Sequence, residues 1–126
     1  RDFIYVSDVA EAFLKAAETE IKGEIFNLGN GKPQSINYLI DLLEGEKVFV
    51  QKRPGEPDIT HANIKKIKKL LNWKPKISFQ EGVEKMTANI ENWKDAPLWT
   101  VDKIENATKD WFKYLKKYEK FSTKTI

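Results

Sequence analysis

With 126 residues the chain suits one modest domain, and 40% hydrophobic residues with 12% aromatics exclude a disordered polymer. The absence of cysteine and a single histidine, His61, exclude a disulfide framework, a thiolate nucleophile and an ordinary zinc or haem site. The formal net charge of +3 comes from lysines spread along several segments, which is no dedicated nucleic-acid surface. No apolar run reaches the roughly 18 residues of a membrane span, so the composition is that of a cytoplasmic protein without membrane partners.

Residues 3–6 are β-branched and aromatic and predict a first strand. Asp8 with Glu11 three residues later forms a capping box, which predicts a helix running to about Glu18 with an apolar stripe of Val9, Phe13 and Ala16, Ala12 and Ala17 alongside. Beyond Gly23, residues 24–28 predict a second strand, and Gly29 to Pro33 is turn chemistry. Ser35 caps a helix carrying Ile36, Leu39, Ile40 and Leu43, which Gly45 closes. A third strand is expected at 47–52, leading into Arg53-Pro54-Gly55-Glu56-Pro57, where two prolines exclude regular structure.

Ile64, Ile67, Leu70 and Leu71 mark a helix whose lysines face solvent and which ends at Asn72. Ser78 with Glu81 makes a second capping box, followed by Phe79, Val83, Met86, Ile90 and Trp93 at helical spacing. Asp95-Ala96-Pro97 breaks the pattern. A final helix starts near Thr100 with Ile104, Ala107, Trp111, Leu115 and Tyr118 on one side. The composition shift places a body at 1–93 and a helical extension at 94–126.

Two residues carry the chemistry. Arg1 and Arg53 are the chain's only arginines among its 22 basic residues, and the planar guanidinium recognises phosphate or carboxylate bidentately where lysine cannot. Each stands in a segment suited to an anion, as does the helix N-terminus at Ser35, so the three together would hold a diphosphate; two buried salt bridges would explain the arginines equally well. The Gly29-Asn30-Gly31 turn resembles the opening of a dinucleotide-binding loop but carries Gln34 where the third small residue belongs, and Pro33 removes an amide donor. It reads as a tight turn. His61 reads as a structural or surface residue, and no nucleophile with a base and no acid–base carboxylate pair stands out, so no residue is assigned a catalytic role.

The segments RDFIYVSDVAEAF, GEIFNLGNGKPQSI and KRPGEPDITHANIKKIKKLLNWKPKISFQEGV resemble, in order and spacing, the C-terminal part of the extended short-chain dehydrogenase/reductases. These are the NAD-dependent nucleotide-sugar epimerases and dehydratases, of the UDP-glucose 4-epimerase type. The resemblance covers about residues 1–93. It implies an α/β fold: a helix-rich substrate-binding portion, with short strands near 3–6, 24–28 and 47–52, that accompanies a Rossmann-type domain. It also implies that an N-terminal domain outside this chain binds NAD, that the parent is a homodimer, and that the substrate is a nucleotide-diphosphate sugar. Carried over residue by residue, the phosphate contacts fall on Arg1 and Arg53, and further nucleotide contacts on Ser35 and Glu56. Asp8 fits the family pattern as well as it fits a helix cap.

The family's catalytic tyrosine has a lysine four residues on. Here Tyr5, Tyr38, Tyr114 and Tyr118 are followed at that spacing by Val9, Leu42, Tyr118 and Ser122. The chain is therefore read as the substrate-binding part of such an enzyme, not catalytic by itself and without a cofactor site of its own. A different class of reading is a stand-alone sugar-nucleotide-binding or regulatory module, and a third is a weak nucleic-acid binder built on the lysine-rich helix at 64–71.

Overall fold

The computed structural model describes residues 1–115, and over these the chain forms five α-helices: α1 (Val6–Glu18), α2 (Ile36–Leu42), α3 (Lys65–Leu70), α4 (Phe79–Ala88) and α5 (Val101–Leu115). A 3₁₀ turn, Ile90–Trp93, follows α4. The chain divides into two units, one of Arg1–Glu46 with Ile59–Asn92 and one of Lys47–Asp58 with Trp93–Ile126.

The strands expected at 3–6, 24–28 and 47–52, and with them the α/β class, are not met among the described residues. Residues 24–28 keep the alternation of a strand, with Phe26 and Leu28 packed on the core and Ile25 83% exposed. Among the described residues they have no partner strand, and a strand exists only through its hydrogen-bonded ladder. Val6 is drawn into the first turn of α1, which ends the extended run at 3–5 although Ile4 packs on the core, whereas Val48, Phe49 and Val50 all remain exposed, so segment 47–52 has no covered face. The nearest approach to pairing is between Arg1 and Gln34: the Gln34 amide donates to the Arg1 carbonyl at 2.8 Å and the Arg1 amino group donates to the Gln34 carbonyl at 2.6 Å.

The core of the first unit is built from Ala12 of α1, Ile64, Ile67 and Leu71 around α3, and Trp73, with Ile4, Ile21, Phe26, Leu28 and Ala62 packed against it. Ile67 is 2% exposed, a burial that contributes about 1.5–3 kcal/mol relative to an exposed side chain. Of the expected α1 stripe, Ala12 is buried in the core, while Phe13 beside it stays 69% exposed, as do Val6 and Leu14, so the stripe is only partly covered.

Asp8 does not cap α1. The helix begins two residues earlier, with Tyr5 at the N-cap and no side-chain cap. Instead the buried Asp8 carboxylate accepts from the backbone amides of Lys76 and Ile77 at 3.1 and 3.0 Å, and its main-chain carbonyl accepts from the Trp73 indole at 3.0 Å. Glu11, one turn on, pairs with Lys76 at 2.7 Å. The two acids of the expected capping box thus tie α1 to the segment that leads into α4.

The caps at Ser35 and Ser78 form as the sequence indicates. Ser35 Oγ accepts from the Tyr38 amide at 3.0 Å and Ser78 Oγ from the Glu81 amide at 3.2 Å. Glu81 turns to Lys85 at 3.4 Å, so the box at Ser78 is half complete. Phe79 then packs on Phe3 and Tyr38, with ring centroids 5.0 and 5.6 Å apart.

In the second unit, Thr100 starts α5: its hydroxyl accepts from the Lys103 amide at 3.4 Å and its carbonyl from the Ile104 amide at 3.0 Å. Ile104 and Phe112 are half-buried, and α5 has no fully buried residue. Tyr118 lies outside the described residues.

Candidate functional site

The loop after residue 52 is shaped by its own sequence. Pro54 and Gly55, the glycine at φ 74°, occupy the central positions of a turn closed by the Glu56 amide donating to the Arg53 carbonyl at 3.2 Å. Proline sets the first of these positions and glycine tolerates the positive φ of the second. The turn brings Glu56 back over Arg53. Arg53 Nε donates to Glu56 Oε2 at 3.0 Å and Nη2 to Oε1 at 2.8 Å, a two-bond fork. Glu56, by this hydrogen bond and by its charge, raises the Arg53 pKa above its ordinary value.

The guanidinium also lies over the ring of Trp111, 5.2 Å from its centroid, and the Trp111 indole donates to the Pro54 carbonyl at 2.7 Å. Arg53 stays 40% exposed while being held on one edge and one face. Its fork is thus oriented before any ligand arrives, with the donors of Nη1 not engaged by Glu56.

In the first unit Arg1 is half-buried and its backbone is joined to Gln34, the residue before the Ser35 cap. The neighbour Asp2, which sequence reasoning passed over, organises this region. Its carboxylate accepts from the amides of Asn30 and Gly31 at 2.9 Å each and from the Ala62 amide at 2.8 Å, while the Asp2 amide donates to Thr60 Oγ1 at 3.2 Å. Successive backbone amides of this kind form an anion cradle. Here the cradle is filled by a side chain of the same chain. The signal lay in the sequence: a glycine turn able to hold an anion, and an acid beside a strand-like run.

His61 Nε2 lies 3.1 Å from the Gly31 carbonyl and so supports the same turn.

A dinucleotide does not fit this turn. Its amides are taken by Asp2, and a Cβ added at Gly29 would stand 2.5 Å from Asp2 Oδ2 and 2.6 Å from the Ala62 Cβ, so the glycine serves close packing of the chain on itself. No step is routed through NAD on these residues. Among the described residues there is also no cluster of histidine or acidic side chains able to hold a metal ion, and no helix long and apolar enough to cross a membrane.

The structure therefore brings Arg53 and Glu56 together, adds Trp111 to them, and sets Arg1 close in the backbone to Ser35. Residues 1–86 match the family of GDP-mannose 4,6-dehydratase, and the chain belongs to this family of nucleotide-sugar epimerases and dehydratases.

Among its relatives, a UDP-glucuronate 4-epimerase of Thermodesulfobacterium geofontis is 37% identical over 112 residues, covering 83% of this chain and 33% of that protein. UDP-glucose 4-epimerase 2 of Arabidopsis thaliana is 33% identical over 103 residues, covering 74% and 28% respectively. A crystal structure of the UDP-glucose 4-epimerase of Thermotoga maritima with UDP-glucose superposes with a TM-score of 0.67 at 33% identity, over 73% of this chain and 31% of that one. The chain thus spans a third or less of the length of these relatives.

Proposed function

We propose that this chain is the C-terminal, nucleotide-diphosphate-sugar-binding part of an NAD-dependent nucleotide-sugar epimerase or dehydratase. The observation that carries the proposal is Arg53. It is an arginine among many lysines, oriented by Glu56, half-exposed, and placed within the sequence segment that resembles the phosphate-contacting loop of the family. In this reading Arg53 and Arg1 each donate to the nucleotide phosphates. Glu56 fixes the Arg53 fork and contributes to the nucleotide site from the same turn. Ser35, whose oxygen already accepts from Tyr38, has its hydroxyl proton to offer. Redox chemistry, with the hydride and proton transfers that epimerisation or dehydration needs, belongs to the N-terminal Rossmann domain and its NAD, in a cytoplasmic parent that works as a homodimer.

The exposed apolar surface of the first unit supports a part rather than a self-sufficient module. Phe13 and Ala16 of α1 line an open apolar groove of about 170 Å³ with Phe26, Leu28, Ile67 and Leu71. A surface of this kind, on a chain a third the length of its relatives, suits packing against another domain.

Calorimetry with UDP, GDP and dTDP tests the binding role. One of the three should bind, and R53A should weaken it by about tenfold or more, since a charge-assisted hydrogen bond contributes about 1.5–3 kcal/mol. R1A should act in the same direction. Equal affinity of R53A and the unaltered chain for every nucleotide would remove Arg53 from the site.

A further inference from the structure

We infer that Trp111, on the helix beyond the family-matched residues 1–86, is a positioning residue for the Arg53 guanidinium and thereby for phosphate recognition. The inference rests on the proposed role of Arg53 and adds a residue to it. An arginine side chain has several rotatable bonds, and one that swings freely loses that freedom when it grips a phosphate. Glu56 fixes one edge of Arg53 through Nε and Nη2, but a fork held by one carboxylate alone can still rock about that contact.

Trp111 removes this motion. Its ring carries the guanidinium at 5.2 Å, and stacking of a cation on indole is the strongest of the aromatic pairings. The indole is itself fixed. Its Nε1–H donates at 2.7 Å to the carbonyl of Pro54, a buried residue adjacent to Arg53, and α5 holds the tryptophan backbone. One tryptophan therefore contacts both the loop that carries the arginine and the charged group at its end. The Arg53 donors left by Glu56 are aimed by three independent points: the proline–glycine turn, the Glu56 carboxylate and the Trp111 ring.

The test exploits the presence of only two arginines in the sequence. In the full 126-residue chain labelled with 15N-arginine, the Nε–H region holds one signal from each arginine, and R53A assigns them. In the unaltered chain the Arg53 signal should be displaced by the Trp111 ring current and move again on addition of UDP. W111L should return that signal toward its unstacked position and weaken UDP binding about tenfold. W111F, which keeps a ring and loses the bond to Pro54, should fall between.

A well-dispersed one-dimensional proton spectrum, with the indole signal of the buried Trp73 in place, verifies that W111L is folded, and W111F provides the milder comparison. If R53A loses UDP while W111L binds it as tightly as the unaltered chain, the positioning role is overturned and the role of Arg53 stands. If the unaltered chain binds none of UDP, GDP and dTDP, or R53A binds the nucleotide it does take unchanged, the Arg53 assignment falls and the positioning role with it.

Discussion

The two units solve opposite electrostatic problems. In the first, carboxylates are embedded among backbone amides: Asp2 takes those of Asn30, Gly31 and Ala62, and Asp8 takes those of Lys76 and Ile77. In the second, a cation is held by side chains, Glu56 on its edge and Trp111 on its face. A backbone cradle already filled by a tethered carboxylate has little left for an external anion, whereas a guanidinium held on one edge retains donors on the other. The glycine-rich turn that looks most like a phosphate loop therefore holds the chain's own Asp2, and the Arg53 loop, proposed above as a phosphate contact, is the one whose guanidinium keeps donors beyond those given to Glu56.

The largest effect that would test this contrast is at Asp8. Replacing it by alanine removes a buried carboxylate and strips two part-buried amides of their acceptor, and D8A should lose about 3 kcal/mol of stability in urea unfolding. A loss below about 0.5 kcal/mol would mean that the carboxylate is not structural in the way described.

Next comes Gly29. G29A drives a methyl group into Asp2 and Ala62, and overpacking of this kind should cost about 2 kcal/mol without removing any ligand contact. Nucleotide affinity, measured well below the melting temperature, should be retained. A selective loss of binding in a folded G29A protein would restore the turn as a ligand loop.

The caps give a smaller, paired comparison. S78A should cost about 1 kcal/mol, because it uncaps the longer helix α4, and S35A about 0.5 kcal/mol at the seven-residue α2. If S35A weakens nucleotide binding more than its stability loss explains, Ser35 acts as a contact as well as a cap.

The smallest expected effect is of pH. Glu56 raises the folded-state pKa of Arg53, so the stabilisation is fully present below the unfolded value and lost only as pH climbs through the raised one, in strongly alkaline solution. From about pH 7 to about pH 8.5 the part of UDP-glucose affinity that R53A removes should stay constant. A slope across that window would assign the interaction to a different titrating group.

Much of the local structure was legible in the sequence. Ser35 and Ser78 announce their helices, the apolar spacing around Ile67 marks α3, and proline with glycine dictates the turn at Arg53. These are short-range effects, settled by a residue and its neighbours within one turn. The strands were misread because their pattern describes only the faces of a segment, and the hydrogen-bonding partner that would make 24–28 a strand is not among the described residues. The capping box at Asp8 failed for a related reason. The spacing to Glu11 permits a cap, but amides sixty-eight and sixty-nine residues away compete for the same carboxylate and win.

What the sequence determined by itself is which residues could act: two arginines in anion-suited segments, no catalytic tyrosine–lysine pair, and an order of motifs that fixes the family. Tertiary structure alone decided which groups were already engaged. Asp2 fills the glycine turn, Asp8 joins α1 to the entry of α4, and Trp111, fifty-seven residues beyond Pro54, braces the arginine loop. Such contacts depend on where distant backbone groups meet in space, and no periodicity or spacing within a single segment encodes that meeting.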